Sequence, residues 1–397
     1  MSIRQLMIGS ASALALFAGA AQAQSTEPPT NAPPSGGAQP APSETTEPEA
    51  IVITGIRRSL PDSIAGKRES SVIAHVLTAE DNGKFRDKNV AEALQRIPGV
   101  VINREFGEGE RVSVRGTAPN LTKTLVNGHS IATADWFILD QLDATRSFNY
   151  LTLPAELVGQ VEVYKTPQAD VEEGGVGATI NVHTRDPLDL DPFTISASAQ
   201  AVYSELADKL DPQLSGLASW KNATGTLGVL IAGVYQKRET RRDGVEVLGY
   251  TAPGGAAGTD EVPLLIGSAL FRQQRERKGG NIGIQFRPTD ELEINVTALY
   301  SKFDADNFNM NYLAWPGRAI GDGGTLTDTR VEDGTVVAGT VTSLPGSRAV
   351  VYDAMAREAF AETMAADFDL EYRLGASGQL HFKAGWTKAN GDTVNEF

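Results

Sequence analysis

The chain contains no cysteine. Disulfide frameworks, cysteine zinc clusters and thiol chemistry are therefore excluded. Histidine is scarce, and His75, His129, His183 and His381 are scattered without metal-ligand spacing. No nucleophile elbow and no Ser-His-Asp pattern is present. The sequence thus offers no catalytic residues, no metal site and no cofactor, and an enzyme is the last reading to entertain. Positive charge is in deficit, with 35 Lys+Arg against 50 Asp+Glu and a net charge of -15. That balance argues against nucleic acid as a partner. Beyond residue 23 no stretch reaches the roughly 18 consecutive apolar residues that a spanning helix needs. If the chain enters a membrane, it does so as strands.

The first residues form an export signal. Arg4 gives a short positive start, Leu6 to Ala21 is mostly apolar, and Ala21-Gln22-Ala23 is an A-x-A cleavage site. Residues 1–23 read as a signal peptide rather than an anchor, because the run is short and lacks a stop-transfer flank. Residues 24–48, "QSTEPPTNAPPSGGAQPAPSETTEP", carry no large apolar side chain. Such a composition cannot offset backbone entropy and reads as a disordered, Pro-rich linker. Residues 49–55, "EAIVITG", are different. Ile51, Val52, Ile53 and Thr54, closed by Gly55, are β-prone and uncharged. A strand on a leash can add to the edge of another protein's sheet. It can equally be an edge strand of the domain that follows, and local chemistry does not separate the two.

Residues 56–190 read as one compact domain of mixed periodicity. In "NVAEALQRIPGVVI", Val90, Leu94 and Ile97 stand at helical spacing and Pro98-Gly99 is a stop. "GERVSVRGTAPN" alternates as a half-buried strand, with Val112 and Val114 on one face and Arg111, Ser113 and Arg115 on the other, ended by Gly116. "KTLVNGHSI" predicts a strand, an Asn127-Gly128 turn and a second strand. "LVGQVEVYKTP" sets Val161 and Val163 against Glu162 and Tyr164, and "GGVGATINVHTRDP" leads from a Gly-rich turn into a strand with Ile180 and Val182 on one face. The glycines Gly174, Gly175 and Gly177 do not form a phosphate loop, since no Lys-Ser/Thr follows them and a strand stands where a helix is needed.

These segments resemble the plug domain of TonB-dependent outer-membrane receptors. The residues that carry the resemblance are "IVITG" as the TonB box, "NVAEALQRIPGVVI", "RVSVRG", "TLVNG" and "VEVYKTPQADVEEGGVGATINVHTRDPL", in the family's order over about residues 50–190. "GIRRSL", "FRDKNVAEALQRIPGV" and "IATADW" further resemble a branch linked to carbohydrate uptake. The resemblance implies that Ile51 to Gly55 bind the TonB energy transducer of the inner membrane. It also implies that Arg115, Gly116, Asn127, Gly128, Gly174, Gly175 and Gly177 belong to the plug's structural motifs. The box lies behind the linker, and the linker is too short and polar to be a folded signalling domain.

From Phe193 onward, long runs alternate apolar and polar residues. Examples are Phe193, Ile195 and Ala197; Leu227, Val229 and Ile231; Ile282, Ile284 and Phe286; Leu292, Ile294 and Val296; Phe368, Leu370 and Tyr372; and Leu380, Phe382 and Trp386. A weaker strand fits Leu214 to Trp220. Period two with aromatics near strand ends is the pattern of a transmembrane barrel. "KNATG", "PTD" and "GASG" read as tight turns, whereas Glu239 to about Arg272 and Asp304 to about Arg348 read as long loops. Short periplasmic turns facing long outer loops fit that plan better than a soluble sandwich does.

The expected fold is therefore an α+β plug followed, over residues 191–397, by an incomplete antiparallel transmembrane β-barrel. About seven strands are legible, and plugged transporters use near 22. The sequence thus reads as the N-terminal part of a longer receptor. The implied function is energy-coupled uptake through the outer membrane, with outer-membrane lipid and the transducer as partners. The implied substrate is an oligosaccharide, with a ferric siderophore as the alternative. A fragment that only binds TonB and a surface adhesion protein are further readings. Asp135 and Trp136, in "HSIATADWFILD", offer a carboxylate acceptor and a flat ring that suit a sugar. Packing of Trp136 against Phe137 and Leu139 is the alternative for that ring.

Overall fold

The computed structural model describes residues 64, 73–78, 89–105, 107–135, 146–169, 171–375 and 378–396. The signal, the linker, Ile51 to Gly55 and Trp136 lie outside the described residues. All elements below belong to one compact unit, Val52–Phe397.

The mixed domain contains β1 (Ala74–Thr78), α1 (Val90–Leu94), β2 (Val100–Glu105), β3 (Glu108–Val114), β4 (Thr122–Val126), β5 (His129–Ser130), β6 (Val158–Tyr164) and β7 (Ala178–Thr184). Five strands form a sheet in the order β1-β6-β7-β4-β5, and β2 pairs with β3 as a separate hairpin. Within the five-stranded sheet only β4 and β7 run parallel. The helix α1 is short because its stabilisation comes from packing rather than propensity. Val90, Ala91, Ala93 and Leu94 are all buried, and the Asn89 side chain caps the first turn by accepting from the Glu92 N–H at 3.2 Å. Chain reversal follows at Gly99, where φ is 80°.

The alternation of β6 and β7 matches the expectation, since Val161, Val163, Ile180 and Val182 are fully buried. The strand β3 does not match a half-buried pattern. Both of its faces are covered, one by α1 and the other by the 3-10 turn Tyr150–Thr152, so Ser113 is buried along with Val112 and Val114. Nothing in local periodicity reveals a second packing layer.

The rest of the chain supplies β8 (Phe193–Ser204), β9 (Lys209–Lys221), β10 (Leu227–Val247), β11 (Tyr250–Thr251), β12 (Val262–Pro263) and β13 (Ile266–Phe286). It continues with β14 (Leu292–Ala314), α2 (Pro316–Gly321), β15 (Thr325–Glu332), β16 (Thr335–Thr342), β17 (Val350–Leu374) and β18 (Gly378–Glu396). Seven of these make one antiparallel sheet in the order β8-β9-β10-β13-β14-β17-β18. The sheet is unclosed, and β8 and β18 are its edges.

Side chains alternate across the sheet as expected for period two. Phe193, Trp220, Ile231, Ile282, Phe286, Val296, Phe382 and Trp386 face away from the mixed domain and are exposed. Leu230, Ala232, Gln273, Arg275, Arg277, Asn281, Ser301 and Phe303 face it and are buried.

The ladder runs further than hydrophobic patterning indicates. Pairing between β10 and β13 continues to Val247 and Ile266, so the connection shrinks from the expected span to 248–265. The second long connection likewise shrinks to 315–349. Backbone hydrogen bonds do not require apolar side chains, so the strands persist where the outward residues become Lys237, Glu239, Glu276 and Asp304. Both connections are folded. Ala257, Val262, Ile320 and Val336 form a small shared core, and the Val336 N–H donates to the Glu261 carbonyl at 2.8 Å.

Candidate functional site

The two parts of the chain meet along a seam that is both apolar and charged. Leu217, Leu230, Ala232, Val234, Leu299 and Ala365 of the sheet share one buried cluster with Val90, Leu94, Val161 and Ile180 of the mixed domain. Beside it, Leu151 packs with Phe271, Phe303 and Ala361. Glu108, the first residue of β3, sits where these clusters meet. Its carboxylate accepts from Arg275 Nη1 at 3.1 Å and from Arg277 Nη2, while Asn89 Nδ2 donates to Oε1 at 3.2 Å. Arg277 also donates to the Leu151 carbonyl and to Gln236 Oε1. Both arginine side chains are nearly sealed from solvent.

Burial by itself would raise the Glu108 carboxyl. The charges of Arg277 and Arg275, and the hydrogen bond from Arg277, outweigh burial and hold its pKa at about 2. The guanidiniums lie 5.7 and 5.3 Å from the Phe303 ring centroid, which adds a cation–π contact on the inner face.

A second junction joins the tip of the β4–β5 hairpin to the sheet. The Asn127-Gly128 turn forms as the sequence indicates, with φ of 50° and 78°. The Asn127 carbonyl oxygen of the side chain accepts from the Thr184 N–H at 2.9 Å, and its Nδ2 donates to Thr297 Oγ1 of β14 at 3.1 Å. The Gly128 N–H donates to Asn181 Oδ1 at 2.9 Å. His129 Nε2 lies 3.0 Å from Asp369 of β17, and the Ala132 N–H donates to Thr387 Oγ1 of β18 at 2.9 Å. A cavity of about 230 Å³ beneath this junction is lined by Asn127, His183, Asp369, His381 and Lys383 among others.

The remaining motif residues shape the mixed domain. Arg115 and Gly116 take the left-handed turn that ends β3, and the Arg115 N–H donates to the Gly99 carbonyl at 2.8 Å. Gly174 opens the turn before β7 with φ of 121°. A Cβ on Gly175 would collide with the Thr179 side chain and the Ala178 carbonyl, and one on Gly177 would collide with Thr117 Oγ1. Close approach, rather than phosphate binding, explains these two glycines.

Asp135 is engaged. Its Oδ2 lies 3.1 Å from Arg111 Nη2, and its backbone carbonyl crowds Gly391 of β18 so closely that no Cβ would fit there. Burial pushes the Asp135 carboxyl up, and Arg111 partly counters this. Sequence reading missed Glu108, Arg275, Arg277 and the His129–Asp369 pair. The run containing Arg275 and Arg277, between the expected loop and the apolar alternation that starts at Ile282, is too polar to show a period, and only the ladder reveals that its odd positions point inward.

Residues 66–179 match the family model described as the TonB-dependent Receptor Plug Domain. The mixed domain is a plug domain. Solved structures similar to this chain include the copper transporter OprC, at 15% identity and TM-score 0.40, covering 82% of this chain and 48% of that one. A mutant of the ferric enterobactin receptor PfeA from Pseudomonas aeruginosa matches at 12% identity and TM-score 0.36, covering 83% of this chain and 60% of that one. The unliganded ferric citrate transporter FecA matches at 13% identity and TM-score 0.36, covering 84% and 61%. The chain thus spans 48% to 61% of the length of these structures. Among the described residues of the plug and sheet, no helix is long and apolar enough to cross a membrane, and no group of three or more His, Asp or Glu is placed to hold a metal ion.

Proposed function

We propose that this chain acts in energy-coupled uptake across the outer membrane. The observation that carries the reading is a plug domain seated by buried ion pairs on the inner face of an antiparallel sheet whose outer face is apolar. The sheet crosses the lipid with Ile231, Ile282, Ile284 and Val296 turned outward. The TonB transducer adds a strand to Ile51 to Gly55 and pulls. The load reaches the seam, where Glu108 and His129 hold the plug to the sheet, and the plug yields a path.

The substrate on this reading is an oligosaccharide. The inner face of the sheet offers amide and guanidinium groups at successive positions, with Gln273, Asn307, Asn309, Asn311 and Arg357 all buried on that side. Among the described residues Gln273 Nε2 and Asn311 Oδ1 have no hydrogen-bond partner. Such groups suit a ligand with many hydroxyls. Asp135 and Trp136 are the plug's contribution, with the Asp135 carboxylate shared between Arg111 and the ligand.

The test is uptake by cells carrying the gene with and without residues 51–55, across a panel of oligosaccharides and ferric chelates. Uptake of a sugar that depends on residues 51–55 is the expected result. Uptake of a ferric chelate and of no sugar would overturn the substrate assignment. Transducer binding with no uptake of anything would leave only the capture of TonB.

A further inference from the structure

The outward face of the sheet changes character twice. On β14 the apolar outward residues end at Tyr300, and Lys302, Asp304 and Asp306 follow. At the far end of the strands apolar residues return. Val247, Ile266, Ala314 and Val350 stand opposite one another on β10, β13, β14 and β17. Val245, Ser268, Tyr312 and Tyr352 form the next row, and Leu270 opposite Met310 begins a third. Ten residues separate Tyr300 from Met310, about 34 Å along a strand. The apolar band of a membrane barrel is only about 25 Å tall. This second patch is therefore separate from the band, with charged rows between them.

Among the described residues nothing covers the patch. Val245 is 75% exposed, Tyr352 64% and Tyr312 60%. Inward side chains at the same level, Phe271 and Leu313, are 1% exposed, so these strands are packed on one face and bare on the other. The connections 248–265 and 315–349 leave from the same strand ends, yet they bury Val262, Ile320 and Val336 against each other rather than against this face. The two tyrosines are ladder partners, edge to face with ring centroids 6.3 Å apart, and the Tyr352 hydroxyl donates to Met310 Sδ at 3.5 Å. Asp243, at the border, is neutralised by Arg241 at 3.0 Å. Four strands and three rows give an area on the order of 400 Å². A contiguous apolar patch of that size on a water-facing surface marks an interaction site.

We propose that this patch is the contact surface for a second copy of this chain in the same membrane. The inference rests on the reading that the sheet crosses the outer membrane, with the connections 248–265 and 315–349 on the outer side. Insertion holds every copy upright at one height. A two-fold axis along the membrane normal therefore sets the patch against itself, apolar on apolar. Barrel strands tilt by about 35 to 45°, so facing copies cross strands nearly at right angles, and the charged rows of β13 and β14 swing away from the axis. Contact is then confined to the patch, about 800 Å² for the pair, which is less than the roughly 1,200 Å² of a stable soluble interface. Confinement to one membrane plane raises the effective concentration and offsets the small area.

The chain has no cysteine, so a single introduced thiol can pair only with its own copy. Ser268→Cys places one at the centre of the patch, and Ala298→Cys places one on the same face within the apolar band. Each purified variant is reconstituted in phosphatidylcholine vesicles and mildly oxidised, and the disulfide dimer is read on a non-reducing gel. Ser268→Cys should give the dimer and Ala298→Cys far less of it. Adding Tyr312→Glu and Tyr352→Glu to Ser268→Cys should cut the dimer at least about tenfold, since tyrosines are frequent interface anchors. No dimer from Ser268→Cys, equal yields from the two cysteines, or a dimer indifferent to the two glutamates overturns the proposal. In cells, a photoreactive label on Ser268→Cys should give adducts of twice the chain's mass, and adducts of other masses alone overturn the second copy as occupant. Flotation of the vesicles separates the two levels. A chain that does not float loses both the membrane reading and the pairing, whereas one that floats without forming the dimer loses the pairing alone.

Discussion

Glu108 and Arg277 are separated by 169 positions in the chain and share a buried, hydrogen-bonded ion pair. With Arg275 they join the plug to β13, and one carboxylate holds both guanidiniums of this junction. Replacing it leaves two guanidiniums without their counter-charge. Breaking a buried pair by removing one partner costs about 3 to 5 kcal/mol. Glu108→Gln is therefore expected to loosen the plug, seen as faster proteolysis between residues 64 and 190 with the sheet intact. Unchanged proteolysis would show that the apolar cluster and the β4–β5 junction hold the plug without it.

The same carboxylate gives the seam a pH dependence. Its pKa is depressed from 4.5 in the free group to about 2 in the folded chain. A depressed carboxylate contributes stability that is fully present above pH 4.5 and is lost as pH falls toward 2. The contribution is about 3 kcal/mol at neutral pH. Acid titration of wild type against Glu108→Gln should show the two stabilities converging between those pH values. Parallel curves across that window would rule out Glu108 as the source.

The strand-addition reading of Ile51 to Gly55 separates backbone from side chain. Val52→Pro removes an N–H and Val52→Ala does not. The Pro variant should bind the transducer about tenfold more weakly, from one or two lost backbone hydrogen bonds, with the Ala variant changed far less. A pull-down in which both variants bind alike would sink strand addition.

At the β4–β5 turn, Gly128 holds φ at 78°, and the atom nearest a new Cβ is the mobile end of Lys383. Backbone strain, not collision, sets the effect. Gly128→Val should destabilise the chain by about 1 to 3 kcal/mol. Thermal unfolding measures it, and Gly128→Asn should recover most of the loss because Asn tolerates this region.

Trp136→Ala tests the sugar reading at one residue. Sugar binding to the variant should fall with the fold intact, since a ring packing on a sugar face contributes much of such contacts. Unchanged affinity would remove Trp136 from the site without touching the wall residues Gln273 and Asn307.

Much of this architecture is legible in sequence because it rests on short-range periodicity. The turn at Asn127-Gly128, the helical spacing from Val90 with its stop at Pro98-Gly99, and the apolar outward rows of β10, β13 and β14 each follow from residues that are near neighbours in the chain. The seven-strand sheet follows from the same alternation. Where the outward face turns polar above Lys278 and Lys302, the alternation fades but the ladder does not, so strand length was settled only by pairing. The inward face carries no local signal at all. Arg275 and Arg277 look like solvated charges until β3 brings Glu108 against them, and His129 looks solitary until β17 brings Asp369 within 3.0 Å. Those partners are chosen by how the plug seats on the sheet, a packing of surfaces distant in sequence, and no window of neighbouring residues contains that information.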